Sequence, residues 1–241
     1  ALALSGPASP TTGDKEAFAH AESWLVIVDV SESMNHGDIA PTRLGATQRL
    51  LQPLLAAAGA RPLGLIIFSG DAFLAHPPTF DRQSFTDFAQ ALDSSLIELN
   101  GSRPDRALAL AQTVIGESEL HHARIWMLTD GGGLDSLSQQ IAQQLGQRGH
   151  RLDILLIARE GSQDPEPVDA DTALKVAEAG DGKLWQVDAL GRPLKNPFSA
   201  NELFAEQQAL QLELGGWQLW SQWIILLLLP LALLLICRGE S

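Results

Sequence analysis

Residues 24–33 read Trp-Leu-Val-Ile-Val-Asp-Val-Ser-Glu-Ser. The run Trp24 to Val30 is short, almost wholly apolar and rich in β-branched side chains, which fits a strand buried on both faces within a parallel sheet. Asp29 interrupts it near its end, and Ser31 and Ser33 follow at alternate positions. Alternate residues turning off a strand tip can aim one carboxylate and two hydroxyls at one point. All three groups are oxygen donors.

Working outward, Leu63–Ser69, Arg124–Thr129 and Leu152–Ala158 have the same buried-strand character, and Gly182–Val187 is a weaker candidate for a last edge strand. Ser69-Gly70-Asp71 reads as a hairpin turn into a short antiparallel edge strand, Ala72–Ala75. Helical periodicity lies between these runs, over Pro41–Ala58, Phe85–Leu92, Pro104–Ile115 and Ser136–Arg148. Glu160–Thr172 reads as a surface loop, and 193–214 as containing a further helix. The alternation predicts an α/β fold with a doubly wound, mostly parallel, Rossmann-like sheet and one antiparallel edge strand. Ligands of such sheets bind beyond the carboxyl ends of the strands. There a second acid, Asp130, waits in Thr129-Asp130-Gly131-Gly132 after the fourth strand.

The length of 241 residues suits one domain of roughly 200 residues with an appendage. The net charge of -13 and the absence of any basic run exclude a nucleic-acid partner, because phosphates require clustered Lys and Arg. One cysteine, Cys237, excludes an internal disulfide framework and thiolate zinc clusters. The excess acid sits in residues 1–218, which hold 15 of the 16 basic and 28 of the 29 acidic side chains.

Leu219–Cys237 carries no charge. As a helix it reaches about 28 Å, close to the hydrocarbon thickness of a bilayer, so it reads as a transmembrane helix. Trp217, Trp220 and Trp223 mark its front edge as an aromatic belt, and Arg238 after it places the tail in the cytoplasm and the large domain outside. The apolar stub Ala1–Leu4 reads as the end of a signal peptide or of an earlier membrane helix.

A set of one or two carboxylates and several hydroxyls matches a hard divalent cation such as Mg²⁺. Asp29-x-Ser31-x-Ser33 with its spacing to Thr129-Asp130-Gly131 resembles the von Willebrand factor type A (VWA) family. Members carry a metal-ion-dependent adhesion site after the first strand, in a later loop and after the fourth strand. Ser102, in Asn100-Gly101-Ser102, falls where that family usually has a loop Thr and keeps the hydroxyl. The resemblance therefore implies the metal site Asp29, Ser31, Ser33, Ser102 and Asp130, for Mg²⁺ with Mn²⁺ or Ca²⁺ as alternatives. Ser31 and Ser33 would bind directly, Ser102 directly or through water, and Asp29 and Asp130 mainly through water and by charge. Thr79 is left out, with Asp81 beside it read as a helix cap; Asp38 is read as a loop acid, and His36, His121 and His122 as surface residues.

Ser33–Gly45 (SMNHGDIAPTRLG) and Phe68–Asp81 (FSGDAFLAHPPTFD) resemble bacterial membrane-anchored members of the aerotolerance and methanol-oxidation accessory types. That likeness implies a domain in the periplasm on the inner membrane. It also implies a protein ligand offering an Asp or Glu carboxylate, a MoxR-type AAA ATPase system as partner, and a role in assembly or metallation of other proteins. The expected organisation is an N-terminal stub and linker (1–21), the VWA domain (22–212), a juxtamembrane linker (213–218), the transmembrane helix (219–237) and a cytoplasmic tail (238–241). An enzyme is not expected. The third position of a phosphotransferase Asp-x-Asp is Ser31 here, no Gly-x-Ser-x-Gly or phosphate-binding Gly-rich loop occurs, and no His follows His150. The alternative is a scaffold with a vestigial metal site.

Overall fold

The computed structural model describes residues 22–118, 120, 122–159 and 169–198. Six strands form one sheet in the order β3-β2-β1-β4-β5-β6. They are β1 (Ser23–Asp29), β2 (Leu63–Phe68), β3 (Ala72–Thr79), β4 (Ala123–Thr129), β5 (Arg151–Leu156) and β6 (Leu184–Gln186). All pairings are parallel except β2 with β3. Five α-helices connect them: α1 (Arg43–Ala58), α2 (Arg82–Gln90), α3 (Pro104–Glu117), α4 (Ser136–Gln147) and α5 (Ala170–Ala179).

Every residue of β1, β2 and β4 is buried, as continuous apolar runs require of strands covered on both faces. On one face Leu25, Ile27, Ile125, Met127, Leu152 and Ile154 pack with Leu108 and Ala111 of α3, Ala142 and Leu145 of α4, and Val176 of α5. Helix α1 packs on β1 and against α2. Chain order reverses between β1 and β4, which lie side by side, so the crevice at their carboxyl ends is the fold's natural site.

Three expectations need correction. The edge strand runs on from Ala75 to Thr79, through Pro77 and Pro78. Proline lacks the ladder N–H, which an edge strand tolerates, and the pairing with β2 is irregular at Leu65. Helix α2 begins at Arg82, three residues before Phe85, on an Asp81 cap whose carboxylate accepts from the Ser84 N–H. Ala170–Thr172, expected in a loop, is the first turn of α5, capped by Asp169 accepting from the Thr172 N–H.

No helix among the described residues is long and apolar enough to cross a membrane. The expected span 219–237, the segments 1–21, 213–218 and 238–241, and the part of the expected helix from 199 to 214 lie outside the described residues.

Candidate metal centre

Strand β1 delivers Asp29 fully buried, and the chain then turns through Ser31 into a 3₁₀ turn, Glu32–Asn35. Ser31 does not cap that turn. Its hydroxyl donates instead to Asp29 Oδ1 at 2.5 Å, and its N–H donates to the same oxygen at 2.9 Å. Ser33 joins through a 3.1 Å contact between the two serine hydroxyls. On the other carboxylate oxygen, Asp29 Oδ2 accepts from Thr129 Oγ1 at 2.8 Å and from Ser102 Oγ at 3.5 Å.

Ser102 comes from the loop before α3, which is fastened to the end of β2. Ser69 Oγ donates to the carbonyls of Leu99 and Gly101, and the Arg103 N–H donates to the Ser69 carbonyl. From there the Ser102 hydroxyl donates to the Gly132 carbonyl at 2.8 Å, joining the β2, β1 and β4 ends into one cluster. Asp130 is buried beside it; its Oδ1 accepts the Gly132 N–H at 2.9 Å. The structure thus brings Asp29, Ser31, Ser33, Ser102 and Asp130 together. Thr79 stands elsewhere, paired with Leu63 at the start of β2, the end of that strand away from the cluster.

Two neighbours escaped the sequence reading. Thr129 is the polar last residue of an otherwise apolar buried strand, and that position was its signal. Arg43 is fully buried at the start of α1, where Nη1 donates to Asp130 Oδ2 at 2.9 Å. Its Nε and Nη2 grip Asp38 at 2.7 and 3.0 Å. Asp38 is therefore more than a loop acid: its Oδ2 also accepts the Arg159 N–H. Burial pushes the Asp38 carboxyl up, but the bonds from Arg43 and Arg159 outweigh it and hold it below the usual carboxylate range. Arg43 shares one helix stripe with buried Thr47, Leu50, Leu51 and Leu54, and a charge on an apolar stripe could have exposed its role.

The electrostatics of Asp29 are the site's main feature. Its donors are three hydroxyls and one N–H, none of them charged. Burial raises its pKa from 3.8 to about 7, with the charge of Asp130 adding to the rise and the bonds from Ser31 and Thr129 opposing it. Among the described residues no group of three or more His, Cys, Asp or Glu side chains could hold a metal, so a cation held here depends on the hydroxyls. Two acids with three convergent serine hydroxyls are a donor set that fits a hard, oxygen-seeking divalent ion.

Residues 24–132, which carry this whole cluster, match the family model described as von Willebrand factor type A domain. Over that stretch the chain is similar to von Willebrand factor type A domains. A UPF0353 protein of Mycolicibacterium paratuberculosis (strain ATCC BAA-968 / K-10) is 28% identical over 216 residues, 82% of this chain. The chain spans 63% of that relative's length. Among solved structures, an aerotolerance-related membrane protein from Bacteroides fragilis superposes with a TM-score of 0.60 at 25% identity, covering 70% of this chain and 94% of its own. BatB from Bacteroides thetaiotaomicron has the same fold, with a TM-score of 0.60 at 23% identity over 81% of this chain and 98% of its own.

Proposed function

We propose that this VWA domain binds a partner protein through a divalent cation held by Ser31, Ser33 and Ser102 with Asp29 and Asp130. The observation that carries the reading is Asp29, a fully buried acid beside a second acid, with uncharged donors around it. Burial without a counter-charge is unfavourable unless a cation completes the site. Bound there, Mg²⁺ or Mn²⁺ would give an acidic surface one positive point for a partner's Asp or Glu carboxylate. The chain's own part is to aim the serine hydroxyls, keep water from Asp29 and supply the negative charge. In this reading the domain acts without catalysis: the Ser31 hydroxyl donates to Asp29, that of Ser102 to the Gly132 carbonyl, that of Ser33 meets the Ser31 hydroxyl, and among the described residues no histidine stands among their partners to activate one as a nucleophile.

The same proposal includes tethering to the bacterial inner membrane by residues 219–237 with the domain in the periplasm. There it serves as an accessory factor in assembly or metallation of periplasmic or membrane proteins, working with a MoxR-type AAA ATPase. Its supports are the charge-free segment and the likeness to the B. fragilis membrane protein. One observation favours a second reading, a metal-independent scaffold: Arg43 already neutralises Asp130. Thermal melting of the full chain separates the two. Saturating Mg²⁺ or Mn²⁺ is expected to raise Tm, and Asp29→Ala to abolish the rise. A Tm indifferent to metal would leave the scaffold reading.

A further inference from the structure

Resting on the metal reading above, we infer that Arg43 is an internal counter-ion that sets how tightly the site takes a divalent cation, with Asp38 sharing its charge. Arg43 is the first residue of α1, at the positive end of the helix dipole, where the helix itself gains nothing from a cation. Its ion pairs account for its position. The guanidinium spans Asp38 on one side and Asp130 on the other, and Nη1 also lies 3.4 Å from the Ser33 carbonyl. It therefore touches the backbone of one serine of the cluster and the side chain of one acid.

Two effects of removing Arg43 oppose each other. A residue that orients a metal-site carboxylate strengthens binding, and its loss weakens it about 10–100-fold. A fixed positive charge on the same carboxylate repels a second cation, and its loss strengthens binding. The structure decides between them, because the Gly132 N–H holds Asp130 Oδ1 independently of Arg43, which takes Oδ2. Orientation survives and the competing charge disappears. Asp38 acts with the opposite sign. It is partly exposed, lies one guanidinium away from Asp130, and draws on the Nε and Nη2 side of Arg43. With Asp38 neutral, more of the Arg43 charge is felt at Asp130 and metal binding weakens.

The test is Mn²⁺ titration of the full chain followed by the loss of the free-ion electron paramagnetic resonance signal. Circular dichroism checks that each variant is folded. Arg43→Gln is expected to bind about tenfold more tightly than wild type, and Asp38→Asn several-fold more weakly. A structural clamp would instead weaken both. Wild-type binding with unchanged or weaker binding in folded Arg43→Gln overturns the inference and leaves the metal reading standing. If Arg43→Gln does not fold, Arg43→Met takes its place with the same expectation, and unchanged or weaker binding in it, or unchanged or tighter binding in Asp38→Asn, overturns the inference. Millimolar Mn²⁺ left free by wild type and both variants removes the metal reading and this inference with it.

Discussion

Asp29 is held in the environment that least favours its charge. Its folded pKa, raised to about 7 by burial and by Asp130, lies above the 3.8 of an ordinary Asp. The native state thus holds the proton more tightly than the unfolded chain, and the resulting stability is fully present below about pH 4 and lost as pH rises through about 7. In chelator, the stability of the wild-type chain relative to Asp29→Asn is expected to fall by a few kcal/mol over that window. Urea denaturation at stepped pH measures this, and equal slopes for the two proteins would refute it. The sequence made Asp29, Ser31 and Ser33 legible because strand alternation and loop spacing are local. Arg43 and Thr129 were not, because their roles are set by partners 87 and 100 residues away.

At the scale of elements, the turn from β4 into α4 governs where Ser102 sits. Gly133 has φ +74°, and a Cβ there would meet the Ser102 carbonyl oxygen at 2.2 Å. Gly133→Ala therefore strains the backbone by about 1–2 kcal/mol and pushes the Ser102 loop off the Gly132 carbonyl. The expected outcome is a modest fall of Tm in chelator together with loss of most of the metal-induced rise. A rise as large as in wild type would show that Ser102 is dispensable. The core strands were readable because continuous apolar runs between turn signals admit few alternatives. The end of β3 was obscured because Pro77-Pro78 reads as a strand breaker, although at an edge its missing N–H faces no partner strand. Helix α5 was obscured because its buried stripe, Ala173, Val176 and Ala177, is made mostly of alanine, whose apolar signal is weak. The cue within reach was Asp169 three residues before Thr172, an N-cap pattern.

Among the described residues the two fully buried acids, Asp29 and Asp153, are treated in opposite ways. Asp153 near the start of β5 is fully buried but gripped by guanidinium groups: Arg124 Nε and Nη2 at 2.8 Å each and Arg151 Nε at 3.1 Å, with Trp185 Nε1 at 3.3 Å. The Arg124 guanidinium in turn lies 4.4 Å from the Trp126 ring centre. Where an acid serves only the fold, this chain supplies its cation; Asp29, at the other end of the sheet, receives hydroxyls. The opposite pH trend comes from His150, buried just before β5, whose Nδ1 accepts the Ala123 N–H and so ties the starts of β4 and β5 together. Burial, with the charges of His122 and Arg148, lowers its pKa below 6.5. The unfolded chain then takes up the proton first, so this contribution is intact above 6.5 and lost as pH falls through the folded pKa. The capping acids Asp81, Asp93 and Asp169, lowered by bonds from Ser84, Ser95 and Thr172, lose their contribution only below the ordinary Asp value and stay out of this window. Metal-free wild type should accordingly show two opposed contributions just below pH 6.5, the Asp29 one falling and the His150 one rising with pH. His150→Asn keeps an acceptor for the Ala123 N–H and removes the titration, so it should expose a stability that falls with rising pH. Asp29→Asn should expose one that rises, and the double variant should be flat. Saturating Mg²⁺ should reverse the Asp29 slope alone, because it binds the ionised carboxylate. A His150→Asn profile unchanged by metal would contradict a cation at Asp29.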